Sequence, residues 1–99
     1  MSNENMTALT LAYKCVTKKL GWNHSRIRRE YGITYRTLRR VRSGIKGKSI
    51  TDSYIMSVFL SIINDAFHKD LRNNGGTNSS YFNNVFREIL LADYNISQV

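Results

Sequence analysis

Residues 24–44 of the chain read HSRIRREYGITYRTLRRVRSG. Gly32 divides it into two segments with helical periodicity, each too short to persist without tertiary packing. Asn23 and Thr34 precede the two segments and carry side chains of the kind that cap helix N-termini. The apolar positions that would face inward are Ile27, Tyr31, Ile33, Leu38 and Val41. The segment therefore predicts a helix-turn-helix, two short helices set at about a right angle by a tight glycine turn.

Three further helical patterns surround this motif. They run from about Thr7 to Leu20, from about Thr51 to Leu71 and from about Tyr81 to Tyr94, and no segment alternates with period two for long enough to be a strand. The first carries an inward stripe that includes Lys19, and the last two carry apolar faces that include Leu71 and Leu90. Residues 73–80 (NNGGTNSS) predict a flexible connection. The sequence thus predicts an all-α protein, a compact five-helix bundle forming a single domain over residues 1–99.

Positive charge is concentrated in the first half of the chain. Of a net charge of +8, residues 1–50 contribute twelve Lys and Arg against two acidic residues, whereas residues 51–99 contribute three against five. Solubility alone would not require this segregation, and the basic segment is interrupted by turns, which is atypical of a membrane-surface helix. The pattern indicates a polyanionic partner.

Composition points to an intracellular protein. The single cysteine, Cys15, cannot form an internal disulfide, which suits a reducing compartment. The N-terminus shows no export signal, and no apolar run approaches the roughly 20 residues that span a bilayer. We expect a cytoplasmic protein of prokaryotic, phage or plasmid type, without membrane contact.

The segment from Leu20 to Gly44 resembles the helix-turn-helix of the Xre/Cro/phage-repressor (lambda repressor-like) family. Gly32-Ile33-Thr34 matches the family's turn, and Ser43-Gly44 matches its closing Asn-Gly. The family's anchor positions fall on Trp22, Ile27, Tyr31 and the run Thr37–Val41. With the helices before and after the motif, the resemblance covers about residues 7–71, and the last helix, about 81–94, lies outside it.

The chain departs from the family pattern at three positions. His24 stands where Gln is frequent, and Arg42 stands where Glu is frequent. Arg28 stands where the family has a small residue because the two helices touch there. Either the Arg28 side chain extends outward between the helices, or the helices cross at another angle.

The resemblance implies double-stranded DNA as the partner and assigns roles to residues. Base edges would be read in the major groove by Tyr35, Arg36, Arg39 and Arg40. Phosphates would be bound at helix starts by Asn23, His24, Arg26 and Thr34, and in the following loop by Lys46 and Lys48.

No arrangement in the sequence favours an enzyme. Cys15, His24 and His68 are too widely spaced to predict a zinc site. Asp65, His68 and Asp70 lie on one predicted helix at a spacing that does not bring their side chains together. The sequence also contains no glycine-rich phosphate loop. We expect no cofactor, no metal and no small-molecule ligand.

The sequence leaves three functions open. The first is a sequence-specific transcription regulator of repressor type. The second is an accessory DNA-binding factor of a mobile element, excisionase-like or concerned with plasmid control. The third is an adaptor or antitoxin-like protein that binds an acidic protein or RNA. The last helix would either fold back on the fourth to complete the core or pair with its copy in a homodimer on a palindromic site.

Overall fold

The computed structural model describes residues 7–98, and this part of the chain contains helices and no strand. The helices are α1 (Ala8–Lys14), α2 (His24–Tyr31), α3 (Tyr35–Arg42), α4 (Ser49–Asn74) and α5 (Ser79–Gln98). The predicted all-α fold of five helices is confirmed. The N-terminal residues used to argue against an export signal, 1–5, lie outside the described part.

The ends of α2 and α3 follow from their local sequence. The Asn23 side chain accepts a hydrogen bond from the Arg26 N–H at 2.8 Å, and the Thr34 hydroxyl accepts one from the Thr37 N–H at 3.2 Å. Gly32 closes α2 with a φ of 74°, a left-handed conformation that costs glycine little. Both helices therefore begin and end at the predicted residues, with a three-residue connection between them.

The core is formed by one apolar face of each helix. Phe59 of α4 is fully buried, and Ile27 of α2 and Leu38 and Val41 of α3 belong to the same buried cluster. The other buried apolar residues are Ala8, Ala12, Tyr13, Cys15, Val16, Ile33, Ile55, Val58, Ile62, Ile63, Phe82 and Ile89. Most of these positions lie on the apolar faces that the sequence predicts.

The first helix is less regular than predicted. After Lys14 it continues as a π-helical segment, Cys15–Lys19, in which the Leu20 N–H bonds to the Cys15 carbonyl at 3.0 Å. A π-helical turn holds more residues than an α-helical turn, so side-chain spacing shifts along it. Lys19 is accordingly exposed, with its ammonium 4.7 Å from the centre of the Tyr81 ring, and its predicted place on the inward stripe was wrong.

The connection between α4 and α5 is ordered by hydrogen bonds, which corrects the prediction of a flexible segment. Helix α4 continues to Asn74, and α5 starts at Ser79. The buried Asp70 carboxylate accepts the Asn78 N–H at 2.9 Å and the side-chain amides of Asn78 and Asn74 at 2.9 and 3.3 Å. The hydrogen bond from the Asn78 N–H is the main reason why the pKa of Asp70 is lowered. Asn74 and Asn78 therefore both donate hydrogen bonds to the Asp70 carboxylate.

Helix α5 folds back to complete the core, mainly along α1 and less along α4. Phe82 and Ile89 are buried, whereas Leu90, predicted to be buried, is 68% exposed. The Tyr81 hydroxyl donates to the Cys15 sulfur at 3.3 Å, and burial raises the pKa of both groups. Leu71, in the last turn of α4, is also exposed, contrary to the prediction.

A buried hydroxyl ties α1 to α3. The Thr10 hydroxyl, 3% exposed, donates to the Val41 carbonyl at 3.0 Å, and that carbonyl also accepts the Gly44 N–H at 3.0 Å. We expect Thr10→Val to lower the free energy of unfolding by about 1 kcal/mol, because the carbonyl keeps its second partner. Urea unfolding of this variant, compared with the exposed Thr51→Val, measures the difference. A loss equal to that of the control would show that the bond contributes nothing.

Candidate nucleic-acid interface

The outer face of α3 carries three of the four predicted base-reading residues. Tyr35 is 55% exposed, and Arg36 and Arg39 are exposed as well. Leu38 and Val41, on the inner face, are buried against the rest of the domain. The Arg39 guanidinium lies 5.7 Å from the centre of the Tyr35 ring, a distance typical of a cation–π contact. The predicted alternation of inward apolar and outward basic residues is thus present.

The fourth residue, Arg40, is held by other contacts. One guanidinium nitrogen donates to the Ile45 carbonyl at 2.8 Å, and another pairs with the Asp52 carboxylate at 2.7 Å. Only 22% of its side chain is exposed. Since its planar fork is occupied within the domain, Arg40 does not belong with the exposed base-reading candidates. The sequence pattern missed this because Asp52 lies on another helix.

The candidates at helix starts divide into two kinds. Asn23 and Thr34 use their side-chain oxygens as N-caps, which orients the first turns of α2 and α3. The backbone N–H groups of those turns and the positive ends of the helix dipoles favour phosphate.

His24 is held between two tyrosines. Its Nε2 lies 2.7 Å from the Tyr13 hydroxyl oxygen, and its ring lies 5.1 Å from that of Tyr35, centre to centre. Burial, with the nearby charge of Arg42 second, lowers the pKa of His24. The ring also supports the position of Tyr35, and the phosphate contact that its place at the start of α2 predicts stays a prediction.

Arg26 combines an aromatic contact with an ion pair. Its guanidinium lies 3.6 Å from the centre of the Trp22 ring, and its Nε pairs with Glu30 at 3.1 Å. Trp22 also packs beside Tyr31, with ring centres 6.0 Å apart. Trp22 thus anchors the entry to α2, as predicted, and the charge of Arg26 is partly neutralised.

Further cations are exposed around α3. Lys46 and Lys48 are exposed in the loop between α3 and α4, as their predicted role requires. Arg28 is exposed on α2, which agrees with a side chain that extends outward between the helices. Arg29 and Arg42 are exposed too. The sequence analysis assigns no role to either residue, although both contribute to the excess of positive charge in residues 1–50.

Comparisons of the chain with protein-family models, with curated proteins and with solved structures found no match. The likeness to phage-repressor helix-turn-helix proteins is therefore carried by the residues quoted above.

Two other kinds of site receive no support from the geometry. Among residues 7–92, whose side chains the structure describes, no group of three or more metal-ligating side chains converges on a point. No helix within residues 7–98 is long and apolar enough to cross a bilayer. The distinctive arrangement is an eight-residue helix with basic residues on its exposed face.

Proposed function

We propose that the protein binds double-stranded DNA with sequence preference by inserting the exposed face of α3 into the major groove. The observation that carries the proposal is the division of α3 between buried Leu38 and Val41 and exposed Tyr35, Arg36 and Arg39. A helix about 10–12 Å across fits the major groove, where each base pair presents its own pattern of donors and acceptors.

The exposed side chains suit base reading. An arginine fork pairs with O6 and N7 of guanine, and Arg36 has no ion-pair partner within the described part of the chain. Arg39 lies against Tyr35, which lies against His24, so three side chains limit one another's rotation. Restricting these rotamers before binding reduces the entropy lost on binding.

Phosphates are bound by cations and helix starts on either side of α3. Lys46 and Lys48 follow α3, and the first turns of α2 and α3 offer free N–H groups beside Asn23 and Thr34. These contacts hold the protein on the duplex at a fixed register and carry no sequence information themselves.

The role that fits this chemistry is a transcription regulator of repressor type, which acts by occupying its site. An accessory factor of a mobile element would use the same interface. Both roles are intracellular and need no cofactor. An acidic protein or RNA partner is the outcome to be distinguished from them by experiment.

Selection of bound sequences from random duplex DNA tests the proposal. We expect enrichment of a defined site containing guanines, together with an observed affinity that falls linearly in log–log form with salt. The slope should be about −0.9 for each phosphate neutralised. No enrichment, or an affinity independent of salt, would contradict DNA binding, and preference for single-stranded RNA would favour the adaptor function.

A further inference from the structure

Arg40, Ile45, Gly47 and Asp52 form a closed set of contacts, here called the Arg40–Asp52 clamp. Arg40 of α3 donates to the Ile45 carbonyl at 2.8 Å and to Asp52 Oδ1 at 2.7 Å. The other oxygen of Asp52, in the first turn of α4, accepts the Gly47 N–H at 3.0 Å. Two helices and the loop between them are therefore joined by four side-chain and backbone groups.

Gly47 is the residue that lets the clamp close. A Cβ atom at this position would collide with the Arg40 guanidinium. The guanidinium cannot move aside freely, because both of its hydrogen bonds hold it against the loop. Glycine is required here by the close approach of a side chain to the backbone.

The clamp keeps its charges at neutral pH. Burial disfavours the ionised form of Asp52, but hydrogen bonds from Arg40 and from the Gly47 N–H outweigh it, so the pKa of Asp52 is lowered. A carboxylate that accepts charge-assisted hydrogen bonds on both oxygens fixes its partners more closely than an exposed ion pair does.

Two lysines stand directly on either side of Gly47. Lys46 and Lys48 are exposed, whereas Gly47 between them is half-buried and bonded to Asp52. We propose that the Arg40–Asp52 clamp fixes this loop so that Lys46 and Lys48 meet the phosphates of bound DNA, which makes Arg40 a positioning residue and not a base reader. This inference rests on the proposed function.

The benefit of the clamp is preorganisation. A loop that is ordered only on binding lowers affinity by the entropy of ordering its backbone and its two long side chains. The clamp fixes the backbone at Ile45 and Gly47, on either side of Lys46 and directly before Lys48, before DNA is present. Arg40 then contributes to affinity through Lys46 and Lys48, uniformly over sequences, since phosphate contacts do not distinguish bases.

A pair of isosteric substitutions separates this role from general electrostatics. Asp52→Asn and Asp65→Asn each remove one negative charge from α4, and Asp65 is exposed outside the clamp. Charge alone predicts equal or slightly tighter DNA binding for both. The clamp predicts that Asp52→Asn weakens binding about 3- to 10-fold at all sequences, while Asp65→Asn does not.

Coupling to the lysines is the decisive readout. The double variant Lys46→Ala/Lys48→Ala should by itself reduce the slope of log affinity against log salt by about 1.8. When Asp52→Asn is added to this double variant, affinity should not fall further. Arg40→Lys keeps the charge and lacks the fork, so it repeats the test if Asp52→Asn does not fold by circular dichroism. The base preference selected from random DNA should stay unchanged in both variants.

The possible results separate the two proposals. If the wild-type protein binds no duplex, the proposed function fails and the role of the clamp fails with it. If the wild type binds and Asp52→Asn behaves like Asp65→Asn, the clamp alone is overturned. A changed base preference in Arg40→Lys, or an effect of Asp52→Asn that persists without the two lysines, also overturns it.

Discussion

Leu38→Ala is expected to lower the free energy of unfolding by about 2–5 kcal/mol. Leu38 is fully buried where α3 meets the core, and truncation leaves a cavity that the neighbouring helices fill only in part. Stabilities of small domains are about 5–15 kcal/mol in total, so this loss is a large share. An eight-residue helix does not persist without such packing, and we therefore expect DNA binding to weaken as well.

Leu90→Ala is the matched control for this variant. It removes the same atoms from α5, where Leu90 is 68% exposed, and should change stability by less than about 0.5 kcal/mol. Urea unfolding followed by far-UV circular dichroism measures both. Equal losses in the two variants would show that Leu38 is not a core residue and that α3 is oriented differently.

The sequence predicted the features that depend on neighbouring residues. Asn23, Thr34 and Gly32 set the limits of α2 and α3 through capping and a left-handed backbone, and these interactions span three or four residues. The apolar spacing of Leu38 and Val41 likewise fixed the inner face of α3, because helical geometry alone decides which side chains share a side.

The contacts that sequence reasoning missed join residues far apart in the chain. Nothing in the spacing of Arg40 distinguishes it from Arg36, and the difference is Asp52, which approaches only when α4 packs. The orientation of His24 similarly depends on Tyr13 of α1, and its lowered pKa follows from burial and from the charge of Arg42. A charge pattern predicts which segments are basic, but the partner that occupies a given charge is a property of the tertiary structure.

The low-complexity segment is explained by local hydrogen bonds. The Asn-rich segment after α4 has the composition of a flexible linker, yet Asp70 accepts hydrogen bonds from Asn74 and Asn78. A buried carboxylate requires such donors, and asparagine supplies them from its amide and its backbone. An acidic residue four and eight positions before asparagines was the signal that could have identified this turn.

Arg36→Ala should weaken binding to the selected DNA site by about 1–3 kcal/mol, or roughly 5- to 150-fold, and relax preference at one or two base pairs. Arg36 lies on the exposed face of α3 near its start, and its side chain has no ion-pair partner within the described residues. The substitution therefore removes the guanidinium that would contact the bases and leaves the core unchanged. Fluorescence anisotropy on the selected site and on single-base variants of it measures both effects.

Arg87→Ala is the control that separates base reading from charge. Arg87 is exposed on α5, outside the α3 face, so its removal takes away the same charge and should lower affinity slightly and equally for every sequence. If Arg36→Ala produced only that small uniform loss, α3 would not be the reading element. A base-specific loss confined to Arg36→Ala would instead require its guanidinium to reach the edges of the base pairs, because phosphate contacts alone cannot discriminate among them.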